Sequence, residues 1–313
     1  MKIYSAAEAA QRLPYRALVE ALRQAFSQDI EVPARSMYSI DMASGSKATL
    51  GLMPAWQAGG AIAVKILTIF PDNASHGVPT IHAQILLLDG KNGCPVALID
   101  GTEVTRRRTA ATSALAASFL AHERAENLLI VGTGPQALHQ GLAHASVRPI
   151  RRIEVWGRSR DKAQGVVEGL LRAAPTCSIG VVDDLQAATR EADVISCVTS
   201  SPDPVVFGAW LKAGAFLDLV GNHMPDRREC DDEAARRSRI HVDALGGALA
   251  EAGELLIPLA KGTISQSDIV GDLHALCRGE VPGRRTPEEI TLFKSVGYGL
   301  EDLAAAKLVA GMA

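Results

Sequence analysis

The stretch that most constrains the fold is NLLIVGTGPQALHQGLAHASVRPIRRIEVWGRSRDK, residues 127–162. An apolar run, 127–131, enters the glycine turn Gly132-Thr133-Gly134, and the turn opens into a stretch of helical period with Ala137 at the third small position of a G-x-G-x-x-A pattern. A strand, a turn without side-chain bulk and a helix are predicted in that order. Gly132 can take the tight turn, and Gly134 lets a pyrophosphate approach the backbone N–H groups at the positive end of the helix dipole. Ala137 lets helix and strand pack closely. The pattern alone also suits an ordinary strand–turn–helix, and the next strand favours the nucleotide-binding reading.

That strand is 153–156. At its C-terminal end, about 20 residues beyond the turn, a dinucleotide fold that takes NAD carries an acid, but here stand Gly157, Arg158, Ser159 and Arg160. A carboxylate would accept bonds from a ribose 2′-OH and repel a 2′-phosphate, whereas a guanidinium beside a hydroxyl favours the phosphate. Lys162 adds a third cation. The loop therefore points to NADP(H) as the preferred cofactor, with NAD(H) possible, over a loop that merely faces water. Glu154 lies mid-strand, too early to act as the acid.

At 313 residues the chain is long enough for two domains, and its net charge of -3 with 21% charged residues gives no reason to expect a nucleic-acid partner. The basic run Arg106-Arg107-Arg108 is embedded in an alanine-rich helical stretch rather than a charged tail, which suits local anion contacts. Cys94, Cys177, Cys197, Cys230 and Cys277 lack metal-type spacing, so no metal site is expected and free thiols in a reducing compartment are. No stretch supplies the ~20 apolar residues of a membrane span, and MKIYSAAEAAQRLPY lacks a signal-peptide core. A cytoplasmic location without a membrane partner is expected.

Taken in order, Ser5 and Glu8 form a capping box, Pro14 interrupts the first helix, and a second helix carries Leu18, Leu22, Ala25 and Phe26 on one face. Strand patterns at 47–53, 62–68, 81–88 and 96–99 predict a mostly antiparallel sheet, followed by a helix over 105–122 with Thr105 as N-cap. Further strands are predicted at 178–182, 194–197, 215–220 and 240–242, with a helix at 185–191. Leu300, Leu303, Ala304 and Leu308 recur at the spacing of a last helix. The expected fold class is α/β: a Rossmann-type doubly wound parallel sheet, residues 113–294, inserted in a smaller α+β domain of residues 1–112 plus 295–313.

The stretches PARSM, VKILTIFPDN, GVPTIHAQILLLD, ALIDGTEVTRRRTAATSALAASFLA, VGTGPQA, VWGRSRDKA, LVGNHMPDRRE and FKSVGYGLEDLAAAK follow one another in an order and spacing that resembles the ornithine cyclodeaminase/mu-crystallin family. That family includes alanine dehydrogenase and cyclic-imine (ketimine) reductases. The resemblance covers nearly the whole chain. It implies that the smaller domain binds substrate and forms a homodimer through its sheet, with the active site in the cleft facing the Rossmann domain. It gives Arg35, Lys65 and Arg108 the roles of substrate-carboxylate ligands. An arginine fork grips a carboxylate bidentately, which suits a small α-imino or α-keto acid. Lys65 stands in the apolar run AIAVKIL, where an ammonium is costly unless it meets an anion or reaches solvent from an edge strand. Arg35 by itself suits either surface or site.

The resemblance further implies cofactor contacts at Thr80, Arg108 and Thr109 near the nicotinamide, at Gly132, Gly134, Pro135 and Gln136 around the pyrophosphate, and at Arg158, Ser159 and Lys162 around the 2′-phosphate. Thr199, Val220 and Ser295 would complete the pocket. One position departs from the cyclodeaminase pattern. Asn222 stands where those enzymes carry an aspartate that helps water attack the imine. Asparagine cannot take a proton, so deamination loses its base while hydride delivery to a C=N bond does not. The expectation is an NADPH-dependent reductase of a cyclic imine, Δ1-pyrroline-2-carboxylate or Δ1-piperideine-2-carboxylate, with Lys65 and Asn222 as the catalytic pair. Water near Asn222, His82 or His223 would complete proton delivery. Ornithine cyclodeaminase or alanine dehydrogenase activity, and a non-catalytic binder of NADPH and a small acid, remain the alternatives.

Overall fold

The Ser5 box closes the first helix as expected. The Ser5 N–H donates to Glu8 Oε2 at 2.9 Å, and the Glu8 N–H donates to Ser5 Oγ at 3.4 Å. In this computed structural model, which describes residues 1–173 and 176–312, helix α1 (Ala6–Arg12) is followed after Pro14 by α2 (Tyr15–Ser27), whose Leu18, Val19, Leu22, Ala25 and Phe26 are buried. Ala174, Pro175 and Ala313, which fall inside the expected domain ranges, lie outside the described residues. Two units separate, residues 1–108 with 298–313 and residues 109–297. No helix among the described residues is long and apolar enough to cross a membrane.

The first unit holds a six-stranded sheet of β1 (Lys2–Tyr4), β2 (Ser36–Asp41), β3 (Lys47–Trp56), β4 (Ala61–Ile69), β5 (Ile81–Asp89) and β6 (Pro95–Asp100), in the order β1-β6-β5-β4-β3-β2. All neighbours are antiparallel except β1 and β6. Strand side chains alternate between faces. One face buries Met53, Ala55, Ala61, Ala63, Lys65, Ile85 and Leu87, and the C-terminal helix Gly299–Ala310 packs on the sheet. The other face carries Leu50, Leu52, Ile62, Val64 and Leu86 half-buried, with Ile66 41% and Tyr38 53% exposed.

Helix α3 (Gly101–Leu120) begins four residues before the expected Thr105. The side chain of Asp100, the last residue of β6, accepts the Glu103 N–H at 2.8 Å and so serves as the cap. Thr105 is not the cap, since its hydroxyl is buried without a hydrogen-bond partner. Gly101 is required at the turn, because a Cβ there would lie 2.8 Å from the Ala83 carbonyl carbon.

The second unit is an eight-stranded, wholly parallel sheet of β7 (Asn127–Val131), β8 (Arg152–Trp156), β9 (Ser178–Val181), β10 (Val194–Cys197), β11 (Phe216–Leu219), β12 (Ser238–Val242), β13 (Ile269–Asp272) and β14 (Ile290–Lys294). The order is β13-β12-β14-β11-β10-β7-β8-β9, so the chain moves outward in opposite directions from the β7/β10 pair. Such a reversal point opens a crevice at the C-terminal ends of the strands. Sequence patterning did not single out β13 or β14, and β14 lies between β11 and β12 in the sheet interior. Helices α4 (Pro135–Val147) and α5 (Arg160–Ala173) follow β7 and β8. Buried Asp218 on β11 accepts from Ser113 Oγ at 2.9 Å and from Ser196 Oγ at 2.7 Å, and lies 3.2 Å from His144 Nε2, tying α3, β10 and α4 to the sheet.

Candidate active site

In the second unit, register aligns Trp156, Val131, Cys197, Leu219, Lys294 and Val242 across six adjacent strand ends. Of the expected cofactor residues, Gly132 to Gln136, Arg158 to Lys162, Thr199, Val220 and Ser295 follow these ends, whereas Thr80 precedes β5 and Arg108 and Thr109 lie on α3. Gly132 has φ 127°, and a Cβ there would come within 2.8 Å of the Val198 carbonyl oxygen, so the turn needs glycine. Gly134 caps α4 with Pro135 in its first turn, and the space a Cβ would occupy at Gly134 is open. The N-terminus of a long helix thus meets an exposed position, with half-buried Gln136 beside it, where the positive end of the helix dipole suits a pyrophosphate. At Gly157 a Cβ would meet Thr133 Cγ2 at 2.3 Å, so the end of β8 lies against the glycine turn. Arg158 and Lys162 are exposed and Ser159 is half-buried, whereas Arg160 pairs with Asp183. These residues fit a dinucleotide.

In the first unit, the structure brings Lys65 and Arg108 together through two acids of the C-terminal helix. Lys65 Nζ lies 2.8 Å from Asp302 Oδ2, Arg108 Nε donates to Asp302 Oδ1 at 3.2 Å, and Arg108 Nη1 donates to Glu301 Oε2 at 2.5 Å. Lys65 is 2% exposed, Arg108 4%, and both acids 0%. Burial lowers the Lys65 ammonium to about 8; Asp302 opposes that shift and Arg108 adds to it. The edge-strand alternative for Lys65 is thereby removed, since β4 is interior to its sheet. Glu301 and Asp302 were not singled out from sequence, although two acids in an apolar helical run are themselves a signal. Arg35 precedes β2 and Thr80 precedes β5, both half-buried, and the Thr80 carbonyl accepts the Phe70 N–H at 2.8 Å. His82 sits on the opposite sheet face from Lys65, because its partner in the register is Thr68 while that of Lys65 is Ile85. That placement takes His82 out of proton delivery near Lys65.

Thr109 is half-buried at the start of the second unit, and Val220 continues β11 with its N–H donating to the Cys197 carbonyl at 3.0 Å. Asn222 is 4% exposed, and its Nδ2 donates to the Ser201 carbonyl at 2.8 Å; His223 beside it is exposed. Ser295 is buried and its hydroxyl donates to Asp243 Oδ2 at 2.9 Å, alongside the backbone N–H groups of Val296 and Gly297. Thr199 and Gly221 donate their backbone N–H groups to the two oxygens of Glu229, at 2.6 and 2.7 Å. Burial pushes the Glu229 carboxyl up to about 7, with Lys294 pulling it down and Glu254 pushing it further up.

A profile of the ornithine cyclodeaminase/mu-crystallin family matches residues 2–313. The chain is 39% identical over 311 residues to the Δ1-pyrroline-2-carboxylate reductase of Colwellia psychrerythraea, covering 99% of this chain and 98% of that protein. It is 36% identical over 261 residues to the ketimine reductase mu-crystallin of Rattus norvegicus, covering 83% of this chain and 79% of that one. Among solved structures, the Thermococcus litoralis Δ1-pyrroline-2-carboxylate reductase in complex with NADH and L-proline superposes with a TM-score of 0.92 at 32% identity, over 100% of this chain and 97% of that one.

The buried ammonium has a consequence for stability. Lys65 gives up its proton near pH 8 in the folded chain and near its ordinary value of 10.5 when unfolded. Between those values the unfolded chain binds more protons, so stability rises with pH. Lys65→Met has nothing to titrate there. Urea unfolding from pH 7.5 to 10 should show the wild type gaining stability relative to this variant, and a constant difference would mean that folding does not lower the Lys65 ammonium.

Proposed function

Because the chain belongs to the ornithine cyclodeaminase/mu-crystallin family, we propose that it is an NADPH-dependent reductase of a small cyclic α-imino acid, Δ1-pyrroline-2-carboxylate or Δ1-piperideine-2-carboxylate, yielding L-proline or L-pipecolate. The observation that carries this reading is the buried Lys65–Arg108 pair, in a chain whose full-length relatives are named for this reduction. Two enclosed cations suit a substrate whose one fixed charge is a carboxylate. Asp302 and Glu301 hold the Arg108 guanidinium in one orientation, and Asp302 does the same for Lys65. When bound, the cofactor would supply hydride chemistry at the ring carbon that bears the carboxylate, with a proton from solvent completing the amine at the ring nitrogen and the oxidised cofactor left behind. Lys65, ammonium below about pH 8, keeps positive charge beside the C=N bond and stabilises electron flow toward it. Asn222 is committed to Ser201 and offers no base for water, which favours reduction over deamination.

An assay of cofactor oxidation over both cyclic imines, pyruvate with ammonia, and L-ornithine tests the reaction. Rapid turnover of a cyclic imine with little ammonia from ornithine is expected, falling above pH 8 as Lys65 loses its proton. Lys65→Ala and Arg108→Ala should each lower kcat/KM by about two decades or more, on the order of 3 kcal/mol. Ammonia release from ornithine faster than any imine reduction would overturn the reading. Tight NADPH binding without turnover of any substrate would favour a binding protein instead.

The preference for NADPH over NADH rests on exposed Arg158 and Lys162 where an acid would read a ribose. In fluorescence titrations Arg158→Ala should lose about 1–3 kcal/mol of NADPH affinity and change little for NADH. Equal losses would mean that Arg158 does not contact the 2′-phosphate.

A homodimer through the six-stranded sheet is also part of this reading, supported by the apolar face of Leu50, Leu52, Ile62, Val64 and Ile66 that the C-terminal helix does not cover. Light scattering should give a dimer for the wild type and a monomer for Ile66→Asp. A wild-type monomer at micromolar concentration would refute it.

A further inference from the structure

Glu229, Glu254 and Lys294 of the second unit have no part in the reaction above, yet each is 1% exposed or less. Enclosing two carboxylates and an ammonium is costly, and apolar groups of the same volume would often serve a core as well or better. The contacts of the three side chains are therefore informative. Glu229 bridges two strands: its Oε1 accepts the Thr199 N–H just beyond β10 and its Oε2 accepts the Gly221 N–H just beyond β11. Lys294, the last residue of β14, donates to the Asn222 carbonyl at 2.5 Å and lies 3.1 Å from Glu254 Oε2. Glu254 in turn accepts the Glu229 N–H at 3.1 Å. The cluster ties the ends of β10, β11 and β14 to one another. Every backbone group it holds in the first two turns belongs to Thr199, Gly221 or Asn222.

Gly221 explains why a polar clasp is used there. A Cβ at Gly221 would lie 2.0 Å from the Thr199 carbonyl oxygen and 2.3 Å from the Thr199 nitrogen. The two turns touch backbone to backbone, so no side chain can be packed between them to set their spacing. A carboxylate with one oxygen on each N–H sets it instead.

We infer that Glu229, braced by Lys294 and Glu254, is a positioning residue for the proposed reduction, fixing the backbone of Thr199 and of Gly221–Asn222 at the strand ends where the nicotinamide would be held. This rests on the reductase reading. A carboxylate at Glu229 satisfies both N–H groups at once, whereas an amide of the same shape has one acceptor oxygen and must leave one donor unpaired.

The test compares wild type with Glu229→Gln by steady-state kinetics on Δ1-pyrroline-2-carboxylate, NADPH titration, and deuterium exchange of peptides covering 198–202 and 220–224. The expected result is a fall in kcat of at least tenfold with the NADPH Kd within threefold, together with faster exchange in both peptides. Faster exchange with kcat within twofold of wild type would overturn the inference, because the clasp would then be structural only. Equal losses in kcat and NADPH affinity would overturn it as well, since the whole site would have been lost. Should Glu229→Gln fail to fold, Glu254→Gln leaves both Glu229 carboxylate contacts in place, and with its amide oxygen on the Glu229 N–H it turns its NH2 toward Lys294 and loosens that residue. It should then speed exchange in 220–224 alone and lower kcat less than tenfold; unchanged exchange there would overturn the bracing role. A wild type that reduces no cyclic imine sinks the reductase reading by itself. In that event unchanged exchange in Glu229→Gln would overturn the clasp too, and faster exchange would uphold it.

Discussion

A cation cannot be enclosed by protein without an anion to meet it, and both units of this chain are built around that constraint. In the first, Lys65 and Arg108 face Asp302 and Glu301. In the second, Lys294 faces Glu254, with Glu229 close by. The first arrangement fixes where the C-terminal helix must sit on the sheet, because its first turn has to bring both acids to the cations. That turn is also where acids are favoured by the helix dipole. The same residues therefore start the helix, seat it, and hold the two cations in a single geometry.

The parallel sheet meets a different demand. Its strands end in one row, and three of those ends run straight into turns with little side-chain bulk: Gly132 after β7, Gly157 after β8, Gly221 after β11. At each of these three a Cβ would strike a neighbouring turn. Close backbone approach along the row brings N–H groups together, and those groups are then available to an anion, as at Gly134, or are taken up by a buried carboxylate, as at Glu229.

Legibility in the sequence depended on the range of each interaction. The glycine turn and its flanking strand and helix could be read because period and turn chemistry are local. Lys65 could be read as anomalous because a charge stood inside an apolar run. Glu301 and Asp302 in an apolar helical run were a signal too, but the pairing with Lys65 could not be read, since Asp302 is distant along the chain and acids at a helix start also have an ordinary local explanation. Glu229, Glu254 and Lys294 are each unexceptional in their own segments, and only the sheet order, with β14 between β11 and β12, assembles them. The start of α3 was displaced because Asp100 ends a strand and caps a helix at once, so the strand pattern hid the helix signal. The family resemblance named Lys65 and Arg108 together, but not the acids that join them.

Arg158 and Lys162 stand out among these charged groups because they are exposed, and neither is woven into the buried networks that organise the two sheets. On the proposed reading of this loop, folding and cofactor choice are separable. Replacing Arg158 or Lys162 takes no atom from those networks, so on the proposed reading these two positions could change between phosphorylated and unphosphorylated dinucleotides at little thermodynamic risk. The enclosed positions have no such freedom, because a change at one partner strands a charge on another. On that reading, change in cofactor concentrates at Arg158 and Lys162 while the charge clusters stay fixed.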